Sequence, residues 1–388
     1  MTYEFNKITD RHNTNAVKLD LAVARGKPAD VLPLWVADMD FPTAPEILQA
    51  LHEKINHGIF GYSVPNERFY EAVKNWQKSE HNYDVERRWI VTTPGVVFAI
   101  TSAIRAFTKE NEAVIIQTPV YYPFKNMIEA NNRKLVTSSL FEKDGKWHID
   151  FEDFEKKIIE NNIKLFILCS PHNPVGRVWT REELLRLGDI CVRHGVVVVS
   201  DEIHQDFVFK GSHVVFASIK KEFEDISITC TSPSKTFNLA SMMMANNFIP
   251  NRELRHKFKK QLDAAGTSQL GVMGLVACEA AYSHGEEWYR HVVDYISDNI
   301  EFVKNYVDNN LTGVKMIDIE GTYLVWLDFR GTGLAVEEIE RRVIHEAKLW
   351  LDSGKIFGDS GRGFERINVA CPRSVLKEAL DRLKKAFQ

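Results

Sequence analysis

Between about residue 90 and residue 250 the chain alternates short unbroken apolar runs with longer segments whose apolar residues return every three or four positions. The runs at 113–117, 164–169, 196–200 and 226–231 lack the polar alternation of a half-exposed strand and predict strands buried on both faces. Strands of that kind, separated by helical patterns, predict a mostly parallel sheet covered by helices. One covering helix is marked at both ends: Thr180 caps it, Glu183 completes a capping box, Leu184, Leu187 and Cys191 follow at helical spacing, and Gly195 stops it. Thr92-Thr93-Pro94-Gly95 opens a second helical pattern at 96–107, and Lys143-Asp144-Gly145-Lys146 predicts a hairpin turn because Asp-Gly accepts positive φ. Beyond residue 320 the pattern becomes strand (321–330), helix (336–349), strand (366–370) and helix (374–387). The expected fold class is α/β: a mostly parallel central sheet in a large domain at 46–285, and a smaller α+β domain at 286–388 to which residues 1–45 contribute.

Composition narrows the function classes. The 388 residues are 44% hydrophobic and 26% charged, within the ordinary globular range. A formal net charge of -4 argues against a general nucleic-acid binder and leaves anionic small molecules open. Cys169, Cys191, Cys230, Cys278 and Cys371 are scattered and mostly embedded in apolar runs, so neither a disulfide framework nor a metal site is readable. No charged-then-apolar leader opens the chain, and no run approaches the roughly 18 apolar residues of a membrane span. A cytoplasmic protein with no membrane or nucleic-acid partner is expected.

Ligands of open parallel sheets gather beyond the carboxyl ends of the strands. After 164–169 comes Ser170-Pro171-His172-Asn173-Pro174-Val175-Gly176, after 196–200 comes Asp201-Glu202-Ile203-His204, and after 226–231 comes Ser232-Pro233-Ser234-Lys235. Taken singly, Asn173 reads as a turn residue, Asp201 as a strand-end carboxylate and Lys235 as a solvated lysine. Taken together and in this order, they match the needs of pyridoxal 5′-phosphate (PLP). That cofactor needs a carboxylate on its pyridine nitrogen, a lysine to form an imine, and a donor to its phenolate oxygen, roles that Asp201, Lys235 and Asn173 can fill. Its phosphate needs N–H groups at a helix N-terminus and hydroxyl donors, which Gly95, Val96, Val97, Ser232 and Ser234 can supply. Tyr121 and Tyr122 offer aromatic cover for the ring, with core packing the alternative for Tyr122.

The sequence resembles the fold-type-I PLP enzymes of the aminotransferase class I/II superfamily, and within it the cystalysin and MalY-type cystathionine β-lyases. The resemblance runs nearly end to end through WVADMDF (35–41), GYSVP (61–65), TPVYYPF (118–124), SPHNPVGRVW (170–179), SDEIHQD (200–206), PSKTFNLA (233–240), EGTYLVWLDFR (320–330) and FGDSGRGFERINVACP (357–372). It implies a PLP-transferase fold and places Lys235 as the imine lysine, Asp201 on the pyridine nitrogen, Asn173 on the phenolate oxygen and Tyr121 stacked on the ring. His204 joins the cofactor residues, and Gly95 to Val97 cradle the phosphate. Arg366 clamps the substrate α-carboxylate, a task suited to its planar fork, and Trp35, Val36, Ala37, Tyr122 and Asn173 line the substrate pocket. Tyr62 reaches the phosphate of the neighbouring subunit, so a homodimer is implied.

The implied reaction is β-elimination from a cysteine thioether. Lys235 removes the α-proton, the thiolate leaves from Cβ, and the products are thiol, pyruvate and ammonium. Transamination of a small amino acid uses the same residues and is the alternative. A third reading is a regulatory protein-binding role of the MalY type, with the basic stretch at 252–260 as a contact surface or, more simply, a solvated helix face. One position departs from the superfamily: Met243, in the run Met242 to Met244, stands where many members carry a phosphate-binding arginine, and Ser232 restores a hydroxyl nearby. No GxxxxGK[ST], HExxH, GxSxG or EF-hand spacing is present, and no metal is expected.

Overall fold

A computed structural model describes residues 3–267 and 269–388. Seven strands form the main sheet, in the order Ile90–Thr93, Ala245–Phe248, Ser227–Thr231, Val197–Asp201, Leu165–Cys169, Ala113–Thr118 and Lys134–Ser139. Ala245–Phe248 alone runs opposite to the other six strands. The apolar runs form the central strands, and Leu165–Cys169, Ser227–Thr231 and Ala113–Thr118 are buried along their whole length, as helices on both faces require. This is the α/β architecture expected from the sequence.

The helix Arg181–His194 has the expected capping box of Thr180 and Glu183 and ends on Gly195 at φ 64°. Val96–Phe107 is helical as expected, and Phe141–Lys143 pairs with Lys146–His148 across Asp144 (φ 54°) and Gly145 (φ 76°).

A second, antiparallel sheet orders Lys315–Met316, Leu324–Asp328, Phe364–Asn368 and Asp352–Ser353. Here the elements differ from their patterns. The strand expected at 321–330 contracts to Leu324–Asp328 because Thr322 takes φ 70° and bonds back to Phe207 O at 2.9 Å. The strand expected at 366–370 shifts to Phe364–Asn368. The helix expected at 336–349 is α-helical over Val336–Arg341 and π-helical over Arg342–Glu346. Lys348 then turns at φ 52°, and Leu349–Trp350 pairs in parallel with Leu32–Pro33.

The amino-terminal segment is thereby joined to the second sheet: Asp40 N donates to Ala370 O at 3.0 Å and Asn368 N to Leu34 O at 2.9 Å. On its other side Met39 N donates to Asn238 Oδ1 at 3.0 Å, three residues beyond Lys235. Residues 35–37 therefore lie between the two sheets. Among the described residues no helix is long and apolar enough to cross a membrane.

Candidate active site

A cavity of about 260 Å³ opens where three parallel strands end and the amino-terminal segment crosses. Asp201 closes Val197–Asp201, Cys169 closes Leu165–Cys169, and Ser232 follows Ser227–Thr231, so side chains more than 60 positions apart in the chain are delivered to one place. Lys235 sits on the short helix Pro233–Thr236, which Ser232 caps by accepting from Ser234 N at 3.1 Å.

Asp201 is buried, and its carboxylate accepts from Ile203 N at 3.2 Å. With no cation in ion-pair contact among the described residues, burial pushes its carboxyl up to about 7, against smaller lowering by the Ile203 N–H and the Lys235 charge. Lys235 Nζ donates to Ala37 O at 2.7 Å, and burial lowers its proton affinity to about 8. Tyr323 Oη donates to the same carbonyl at 3.0 Å.

Arg366 is buried, with Nη1 donating to Asn173 Oδ1 at 2.9 Å and Nη2 donating to Trp35 O at 2.7 Å and to Asp352. Its Nε finds no partner. His204 is buried with Nδ1 unpartnered, and burial next to Lys235 and Arg366 keeps its imidazole neutral well below the usual range. Burial raises the Tyr121 phenol, whose backbone N–H donates to Asn173 O at 3.0 Å. Gly95 has φ 98° with open space where a Cβ would stand, in front of the helix Val96–Phe107.

Trp35, Val36, Ala37, Gly95, Val96, Val97, Tyr121, Tyr122, Asn173, Asp201, His204, Ser232, Ser234, Lys235 and Arg366 all line this cavity. Tyr62 does not; it stands 96% exposed on the segment 58–66. The sequence pattern of aminotransferase class I and II matches residues 29–383. The chain belongs to the aminotransferase class I and II family. Within it, the chain is 43% identical over 99% of both chains to cystathionine beta-lyase PatB of Bacillus subtilis, and 33% identical to the protein MalY of Escherichia coli, over the whole of this chain and 99% of MalY. Cystalysin of Treponema denticola, solved with a pyridoxal 5′-phosphate cofactor, superposes with a TM-score of 0.96 at 42% identity, covering 100% of this chain and 99% of its own.

Against that family the methionine run takes a defined path. Met242 O packs on the helix Val272–His284 at Gly274, where an added Cβ would meet it at 2.5 Å. Met243 turns at φ 49° and lines the cavity, and Met244 O accepts the Ser232 hydroxyl at 2.6 Å. The Ser232 proton is thus committed to the methionine loop.

Asp352, Cys169, Ile203, Ala240 and Met244 line the cavity without having been read from the sequence. Beneath it, Thr236 donates to Asp206, which also takes Trp76 Nε1 at 3.2 Å and pairs with His81 Nε2 at 2.8 Å. This buried cluster anchors the residue next to Lys235. Its signal was faint, since Asp206 and Thr236 lie inside SDEIHQD and PSKTFN beside residues with more conspicuous roles.

Proposed function

We propose that the protein is a PLP-dependent cysteine-S-conjugate β-lyase of the cystathionine β-lyase type, converting a cysteine thioether and water into a thiol, pyruvate and ammonium. The observation that carries this reading is the meeting of Asp201, Lys235, Asn173 and Arg366 in one cavity, in a chain matched end to end by a cystathionine beta-lyase.

The residues present fit PLP. A buried carboxylate without a cation is costly, and a protonated pyridine nitrogen supplies what Asp201 lacks. The open space at Gly95 and the N–H groups of Val96 and Val97 suit a phosphate, with Ser234 beside them. Tyr121 and His204 flank the ring, and Ser232 shapes the phosphate loop through Met244. Tyr62 completes the phosphate site of a second subunit, so the working unit is a homodimer. Five buried cysteines, none in a disulfide, suit a reducing cytoplasm.

Bound there, PLP draws electron density from the α-carbon of the substrate joined to it. The rest falls to the chain. Arg366 takes the α-carboxylate, using its open Nε, while Asn173 and Trp35 O fix the plane of its fork. Trp35, Val36, Ala37 and Tyr122 confine the sulfur substituent. Lys235 Nζ, held to a proton affinity of about 8, accepts the α-proton near neutral pH. The Cβ–S bond then breaks with its electron pair on sulfur, and water completes the conversion of the three-carbon remainder to pyruvate and ammonium.

The test is to incubate the PLP-loaded protein with L-cystathionine and no 2-oxo acid. Equal amounts of pyruvate and thiol are expected. Product that appears only when a 2-oxo acid is supplied would reassign the protein as an aminotransferase.

A further inference from the structure

One stretch of backbone receives both Arg366 and Lys235. Trp35 O accepts from Arg366 Nη2 at 2.7 Å and Ala37 O from Lys235 Nζ at 2.7 Å, while Val36 O and Asp38 O both accept from Asn368 Nδ2 at 2.6 Å. Ala37 O carries a second donor, the Tyr323 hydroxyl at 3.0 Å. The elimination chemistry gives that hydroxyl no task.

Tyr323 is fully buried behind a cavity wall that Ala37, His204 and Lys235 help to form. Its ring meets those of His204 and Phe207 edge-on, with centroids 5.7 and 4.9 Å apart, and its carbonyl accepts from Val369 N at 3.0 Å. Burial and the Asp38 carboxylate raise its phenol far above the ordinary value. Tyr323 therefore stays protonated and acts as a fixed hydrogen-bond donor, not as a proton source.

A carbonyl oxygen offers two lone pairs. With Tyr323 on one, Lys235 Nζ has the other, which fixes where a free amine comes to rest. Two donors on one oxygen also leave less acceptor strength for each, and an ammonium loses more by this than a neutral amine, because its hydrogen bonds are the stronger. The charges facing Lys235 are Asp38 and Asp201, which favour the ammonium, and Arg366, which opposes it, while His204 beside it is neutral. Asp38 is itself engaged by Arg11 at 2.6 Å and Lys18 at 3.4 Å. Lys235 is a free amine here, as it is once substrate has taken its place on the cofactor.

We propose that Tyr323 is a positioning residue for the base: by occupying one lone pair of Ala37 O it sets the resting place of the freed Lys235 amine and keeps that amine ready to accept the α-proton. This rests on the reading of Lys235 as the base of the proposed elimination. Tyr323→Phe removes only the hydroxyl, keeps the ring against His204 and Phe207, and leaves the residues lining the cavity unchanged. One competing hydrogen bond on the shared acceptor changes the balance between ammonium and amine by about a factor of ten.

The experiment reads the amine directly. Cofactor-free wild type, Tyr323→Phe and Asn238→Gly are labelled with trace acetic anhydride across a pH series, and acetylation of Lys235 is followed by peptide mass spectrometry. Asn238→Gly controls for mere loosening of the segment: it loses the amide that bonds to Met39 O and Phe41 O, and glycine accepts the φ of 56° at that position. The wild-type profile should turn over at about 8. In Tyr323→Phe the midpoint should rise and labelling at pH 7 should fall about tenfold, with Asn238→Gly close to wild type. An unchanged profile in Tyr323→Phe, or the same displacement in Asn238→Gly, would overturn the assignment. In the PLP-loaded enzyme with L-cystathionine, pyruvate release by Tyr323→Phe should be about tenfold slower at pH 7 and recover above about pH 9, with KM unchanged. If even the wild type releases no pyruvate while the labelling profile still moves in Tyr323→Phe, the lyase reading fails and the positioning of Lys235 by Tyr323 stands.

Discussion

Burial moves the proton affinities of Asp201 and Lys235 in opposite directions, up to about 7 for the carboxyl and down to about 8 for the amine. For Asp201 this has a stability consequence. Below about pH 4 the carboxyl is protonated in both folded and unfolded chains. Between there and about 7 the folded chain holds a proton that the unfolded chain has released, so stability falls as pH rises through that window. Ionisation in place costs up to about 4 kcal/mol in the cofactor-free protein. The gain in melting temperature on adding PLP should therefore be larger at pH 8 than at pH 5, and Asp201→Asn should remove most of that difference in a thermal-unfolding series. Asp201 was legible because it closes an apolar run with a polar residue, and Lys235 because it follows another such run in the polar segment four residues beyond its end. Asp352 was not: it stands two positions past Leu349–Trp350, and only the pairing of Asp352–Ser353 with Phe364–Asn368 brings it to Arg366.

Elements set where those residues stand, and their legibility followed their composition. The central parallel strands announce themselves as apolar runs, whereas Ala245–Phe248 carries Asn246 and Asn247 in its middle, both fully buried. Asn247 Nδ2 donates to Val91 O at 2.7 Å, a long-range bond that makes a polar strand acceptable in the core and that no local pattern reports. The helix expected at 336–349 ended early for a similar long-range reason, since Lys348 turns out of it to let Leu349–Trp350 pair with Leu32–Pro33. The start of Val96–Phe107 was read correctly, and it offers a clean test. Gly95→Ala meets no neighbour, but it places a methyl in the open space before the helix and forces an L residue to φ 98°. We expect about a tenfold weaker hold on PLP by equilibrium dialysis, with strain of about 1–3 kcal/mol in unfolding. An unchanged PLP affinity would remove Gly95 from the phosphate cradle.

At the scale of the whole molecule, Tyr62, proposed above to reach a second subunit's phosphate site, lies outside the cavity of its own chain. Tyr62 points away on a segment where Ile59, Phe60 and Val64 are also exposed, at 66, 58 and 71%, an apolar stretch larger than scattered surface hydrophobics account for. If that stretch seats against a second copy and Tyr62 enters its cavity, each complete site draws Lys235 from one subunit and Tyr62 from the other. A Tyr62→Ala chain then spoils its partner's site, and a Lys235→Ala chain spoils its own. Either variant alone should be nearly inactive. When the two are unfolded and refolded together in equal amounts, half of the dimers contain one of each, and each such dimer holds one intact site with Lys235 from the first chain and Tyr62 from the second. Pyruvate formation should recover to roughly a quarter of the wild-type rate. Because the two residues act on the same site only across the interface, a mixture that stays inactive means that Tyr62 serves its own subunit or none.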